Sequence, residues 1–143
     1  MGKRIRLLHS APATKAEEIL SAGLRATSEF DDLDLEMRRG VVFCWLREED
    51  DKMWGKRPDH AYFEAKVDAE RCRVAEMDFA SVAMMYRRGE KKPKNRQQAA
   101  RLLAEAYRVT SVPLSEYVEG TFFTPEVLVK GDIDSACVRP LIG

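Results

Sequence analysis

The sequence predicts an α+β domain in which strands outnumber helices, and three observations carry that prediction. Segments 14–24 and 97–107 place apolar residues at helical spacing. Short β-branched or aromatic runs recur around them, as in R-I-R-L-L-H (4–9), G-V-V-F-C-W (40–45) and P-E-V-L-V (125–129). The 143 residues show no repeat and no change of composition. One hydrophobic core is therefore expected, and 1–143 reads as a single domain.

Taken in order, R-I-R-L-L-H is an opening strand that ends on His9, followed by an amphipathic helix in T-K-A-E-E-I-L-S-A-G-L (14–24). Thr14 and Glu17 have capping-box spacing, Ala16, Ile19 and Leu20 form the apolar stripe, and Gly23 supplies the stop. Residues 28–38 are acidic and poorly periodic, which predicts a loop or a frayed helix. A buried strand at 40–45 leads into a charged turn and one helical turn at 50–54. A-Y-F-E-A-K-V (61–67) and R-C-R-V-A-E (71–76), joined by D-A-E, read most simply as a hairpin. Phe79, Val82, Ala83 and Tyr86 predict a short helix over 78–86. The basic loop 86–96 separates it from a helix over 97–107 with Ala99, Leu102, Leu103 and Ala106 inward. Short strands at 109–112, 121–123, 126–130 and 137–141 close the chain, with Pro125 tolerated before the third because a strand's first position needs no ladder N–H.

Twenty-four Lys and Arg balance 24 Asp and Glu, so any contact with nucleic acid must be local rather than a property of net charge. The exception is Y-R-R-G-E-K-K-P-K-N-R (86–96), with six positive charges and one negative in eleven residues. A solvated loop and contact with a phosphate backbone explain that segment equally well. No apolar run approaches the roughly 20 residues of a membrane span, and M-G-K-R-I-R lacks the apolar stretch of a signal peptide, which together predict a cytoplasmic protein. Cys44, Cys72 and Cys137 are odd in number and widely spaced, and His9 and His60 are the only imidazoles. That pattern argues against a disulfide framework or a zinc site, and the cysteines read as small core residues.

Three pieces in order, L-L-H-S with A-E-E-I-L-S-A-G-L, then R-G-V-V-F-C-W, then T-P-E-V-L-V, resemble the ADP-ribosyltransferase fold over nearly the whole chain. Within that family the pattern is most similar to the DarT-type DNA-modifying toxins and their bacterial and phage relatives. It departs from the poly(ADP-ribose) polymerases at Val42, where they carry tyrosine, and from the commoner His-Gly-Ser or His-x-Thr at Ser10 and Ala11. The resemblance implies two small packed antiparallel or mixed sheets around an NAD cleft, with flanking helices. It implies NAD as a substrate, held by His9 at a ribose and by Ser10 at the carboxamide. Phe43 and Trp54 would line the nicotinamide pocket, Arg47 would face the pyrophosphate, and Glu126 would be the catalytic carboxylate. No metal is implied.

The chemistry suits those residue types. Breaking the nicotinamide–ribose bond develops positive charge on the sugar, and a preorganised carboxylate stabilises such charge by about 3 kcal/mol or more. A guanidinium fork matches phosphate oxygens better than an ammonium does. Each residue also has a plainer role: Glu126 as a solvated strand-end charge, His9 as a satisfied strand end, Arg47 as part of a solvated R-E-E-D-D face, Phe43 and Trp54 as core. The expected function is transfer of ADP-ribose to a macromolecular acceptor, nucleic acid or protein. The alternative is a non-catalytic module of the same fold that binds nucleic acid or a partner protein. An RNA 2′-phosphotransferase has a related fold, but its paired basic-histidine signature is not visible here.

Overall fold

In the computed structural model, which describes residues 3–27, 35–87 and 94–141, the opening strand runs on past His9. Strand β1 spans Arg4–Pro12, because every residue to Pro12 finds a partner on β3 (His60–Asp68): His9 lies opposite Phe63, Ser10 opposite Tyr62 and Pro12 opposite His60. His9 is therefore inside a strand rather than at its end. Together β1, β3 and β7 (Val138–Pro140) form an antiparallel sheet in the order β1-β3-β7. A second antiparallel sheet has the order β2-β6-β4-β5, from β2 (Val41–Cys44), β6 (Pro125–Lys130), β4 (Cys72–Glu76) and β5 (Val112–Pro113).

The expected hairpin of 61–67 with 71–76 does not form. Its two strands belong to different sheets, and the 3-10 turn Ala69–Arg71 carries the chain from one to the other. The reason lies in Arg71, whose Nε and Nη2 donate to the carbonyls of Lys130 (2.9 Å) and Asp132 (2.5 Å), tying the turn to the end of β6 instead of folding β4 back on β3.

Five of the six residues of β6, Pro125 to Val129, are buried, so both faces of that strand are covered. Alternation sends Val127 and Val129 into a core shared by the two sheets, with Leu7, Phe63, Ala65, Val42 and Val74. Leu128 faces the other way, against Val41, Ala75 and two helices, α2 (Met77–Arg87) and α3 (Lys94–Thr110). Small residues, Ala80 and Ala83 on α2 and Ala104 on α3, let these helices close over the sheet. The inward stripe of α3 is Ala100, Ala104 and Tyr107, one residue round from the expected one, and Leu102 is exposed. Because α3 runs on to Thr110, the expected strand at 109–112 shrinks to β5, and 121–123 is irregular. The expected helical turn at 50–54 falls earlier, as a 3-10 turn at Glu48–Asp50.

Helix α1 (Ala16–Ala22) follows a 3-10 turn at Ala13–Lys15 and has no side-chain cap, so Thr14 and Glu17 do not form a capping box. Of its expected stripe, Ile19 is buried and Leu20 exposed. Gly23 does end the helix, at φ +86°, and a Cβ there would sit 2.2 Å from the carbonyl oxygen of Ile133. Only glycine allows that backbone to pass and Leu24 to bond with Ile133. Cys44 and Cys72 are buried and Cys137 is half-buried. Of the acidic segment 28–38, positions 28–34 lie outside the described residues and Glu36–Arg38 is a 3-10 turn. Positions 88–93 of the basic loop also lie outside them. No helix among the described residues is long and apolar enough to cross a membrane.

Candidate active site

Glu126 owes its position to three anchors at the start of β6. Pro125 opens the strand without a ladder N–H, and Glu126 lies opposite Ala75 of β4. The buried Glu76 carboxylate accepts the backbone N–H groups of Phe123 and Thr124, each at 2.8 Å, while Met77 donates its N–H to the Thr124 carbonyl at 2.9 Å. The loop before the strand is thus pinned to β4.

The side chain of Glu126 shares a face with Leu128 and is only 4% exposed, which removes the solvated strand-end reading. Oε1 accepts from Arg38 Nη1 at 2.6 Å and from the Tyr107 hydroxyl at 2.9 Å, and the same guanidinium nitrogen donates to the Tyr107 oxygen at 2.6 Å. Among the described residues no hydrogen bond reaches Oε2. The Arg38 guanidinium also lies over the Phe43 ring, 4.4 Å from its centroid. Burial, reinforced by the Glu126 charge, holds the Tyr107 pKa far above its usual value, so the phenol stays a donor to the carboxylate. The result is a desolvated carboxylate whose counter-charge is fixed by an aromatic ring and a phenol.

His9 occupies the point where the two sheets part. Leu8 and Trp45 exchange both backbone hydrogen bonds, each 2.8 Å, as an isolated bridge between β1 and the end of β2. One residue on, the His9 ring takes the Phe43 carbonyl at 2.8 Å in place of a continuing ladder. A carbonyl only accepts, so Nδ1 carries the proton and Nε2 keeps its lone pair. Burial lowers the His9 pKa, partly opposed by the bond to Phe43, and the ring is therefore neutral at pH 7. Since Cys44 lies opposite Val127, the next positions, Trp45 and Glu126, adjoin. Two strand spacings, about 10 Å of backbone, separate β1 from β6 across β2. His9, Phe43, Arg38 and Glu126 thus form one chain of contacts.

Ser10 alternates to the opposite face of β1 from His9 and lies across from Tyr62. Trp54 packs on that tyrosine, ring centroids 4.4 Å apart, and Gly55 donates to its hydroxyl at 2.9 Å. Ser10 and Trp54 therefore make a second patch. Arg47 is 47% exposed and pairs with Glu49 at 3.1 Å, with Asp50 at 3.7 Å and with Glu119. It borders a cavity of about 190 Å³ whose wall includes Pro125, so it reaches the start of β6 from the side away from Arg38. Its charge is already matched by carboxylates. Burial raises the Asp50 pKa, an effect opposed by the Arg47 backbone N–H and guanidinium.

The sequence reading did not single out Arg38 or Tyr107. Tyr107 had a signal, since it completes the Ala100, Ala104 spacing on α3; Arg38, in R-R-G, had none. Comparison with protein-family models, curated protein sequences and solved structures returned no match.

Proposed function

We propose that this chain is an NAD-dependent ADP-ribosyltransferase that moves ADP-ribose to a macromolecular acceptor and releases nicotinamide. The observation that carries this reading is a buried carboxylate, Glu126, with one oxygen that accepts no hydrogen bond among the described residues, linked through Arg38 and Phe43 to a neutral histidine acceptor, His9. The residues fit the substrate's needs. The Nε2 of His9 accepts from a ribose hydroxyl, and Glu126 Oε2 accepts from another and meets the positive charge that grows on the sugar as the bond to nicotinamide breaks. Arg38 and Tyr107 act as positioning residues that keep the carboxylate aimed.

One observation favours the non-catalytic alternative. Arg38 already neutralises Glu126, and a carboxylate committed to a structural ion pair has less negative charge to offer a reacting sugar. Incubation with NAD labelled in the nicotinamide ring decides between the two readings. The enzyme releases labelled nicotinamide, and Glu126→Gln lowers that rate by about tenfold to a hundredfold or more. Bound NAD with no release, in wild type and variant alike, returns the chain to the binding-module reading.

A further inference from the structure

A cavity of about 860 Å³ is lined by both sheets at the end of the molecule where β1 begins. Ile5 comes from β1, Cys72 from the start of β4 and Pro113 from β5, while Leu46 and Leu114 come from the segments just after β2 and β5. Ile5, Leu46 and Leu114 also pack against the core that the two sheets share, so an apolar body seated among them extends that core. Burial pushes the Cys72 thiol up to about 11, which leaves this wall uncharged at pH 7. The charges belong to three exposed residues, Lys3, Arg6 and Glu70. The Lys3 carbonyl accepts the Ala69 N–H at 2.7 Å, which ties the lysine to the turn that carries Glu70. Neither Lys3 nor Glu70 has an ion-pair partner among the described residues. Arg6 holds Glu64 through Nε, but that carboxylate also takes Arg139, so the three together keep one positive charge.

We infer that this cavity is a binding site for a small hydrophobic monocarboxylic acid, its apolar body among Ile5, Leu46 and Leu114 and its carboxylate toward Lys3 and Arg6. Two cations against the Glu70 carboxylate leave a surplus of a single positive charge. That surplus matches one carboxylate, whereas a phosphate monoester brings nearly two negative charges at neutral pH. Among the described residues only Nε of Arg6 is engaged, so its two terminal nitrogens keep their donors for the incoming acid. The volume lies within the usual range for small-molecule sites, and mostly apolar walls with a few polar groups are their usual make-up. Neither His9 nor Glu126 lines the cavity, and the site stands independently of the proposed transferase activity.

Octanoate and decanoate are the probes, titrated by calorimetry and followed by methyl NMR. Saturable binding is expected, with shifts at the Ile5, Leu46 and Leu114 methyl groups. Decanoate should bind about tenfold more tightly than octanoate, because it buries two more CH₂ groups. Acetate, which has the head group alone, should bind at least about tenfold more weakly than octanoate. Two variants at exposed positions test the charge in opposite directions. Lys3→Glu should weaken decanoate by about fivefold, and Glu70→Gln should strengthen it by about twofold, both melting like wild type. No saturable binding at millimolar decanoate, equal affinity for the two chain lengths, variants that leave affinity unchanged or move it in the same direction, or methyl shifts confined to other residues would each overturn the assignment.

Discussion

Two glutamates in this molecule are each gripped by arginine, and they sit in opposite surroundings. Glu126 meets Arg38 at 2.6 Å with both side chains 5% exposed, beneath α3 and against Phe43. Glu64, on the outer face of the β1-β3-β7 sheet, meets Arg6 at 2.5 Å and Arg139 at 2.9 Å, but those two arginines are 51% and 72% exposed. Water and salt screen the second cluster and not the first. The same pair of functional groups is a surface clamp in one place and a desolvated, aimed carboxylate in the other. Burial of the partner, rather than the hydrogen-bond count, decides which.

The largest effect expected from that contrast is on Glu126→Ala, which takes its buried carboxylate partner from the buried Arg38 guanidinium and should lower stability by about 3–5 kcal/mol in urea titration. Replacing both partners, Arg38→Met with Glu126→Leu, should recover most of that loss. If Glu126→Ala destabilises no more than Glu64→Ala, the contrast is wrong. Next in size, Tyr107→Phe deletes one donor to a buried carboxylate and should lower the same measurement by about 1.5–3 kcal/mol, with the fold intact by circular dichroism.

A smaller effect sharpens the picture at His9. Its folded pKa lies below the ordinary 6.5, so neutral His9 contributes stability in full above pH 6.5, and the contribution falls as pH drops from there toward the folded value. Melting curves of wild type and His9→Gln should diverge across that window, and parallel curves would show that the ring is not buried as described. The smallest effect belongs to Glu64→Gln. The Arg6 hydrogen bond, then that of Arg139, hold the Glu64 pKa below its ordinary 4.5. Its contribution is present above pH 4.5 and lost as pH falls through the depressed value. Near neutral pH the variant should melt within about 3 °C of wild type, and the gap should close in roughly 1 M salt.

Composition and β-branched runs are local properties, and they located β1, β2 and β6 and the α+β class. Pairing is not local. The segments 61–67 and 71–76 look like a hairpin because they are adjacent and alternate, yet Arg71 binds carbonyls near position 130 that no local pattern announces. The rotation of the α3 stripe has a related cause: with Ala99, Ala100, Ala104 and Ala106 on several faces, apolar contrast between neighbouring positions is weak. At the site, Pro125 marked Glu126 as a strand opening, and a histidine in the first strand was visible as such. The Arg38–Glu126 pair spans 88 positions, and its arginine sits beside a second one in R-R-G, so nothing in the sequence says which turns inward. Arg47, beside the longer acidic run, drew attention for its neighbours and is held by them.

The place of β6 at the centre of its sheet has a consequence for how the chain is made. Ribosomal synthesis delivers β2 and β4 long before β6, and neither can pair with the other until Pro125–Lys130 slides between them. Until then the nascent chain carries two apolar strand edges with no neighbour, the condition under which chains pair with one another instead. Nor can the carboxylate meet Arg38 in that interval. A ribosome stalled before position 125 would therefore release a product prone to aggregate, and synthesis of Pro125–Lys130 both completes the sheet and brings Glu126 to Arg38.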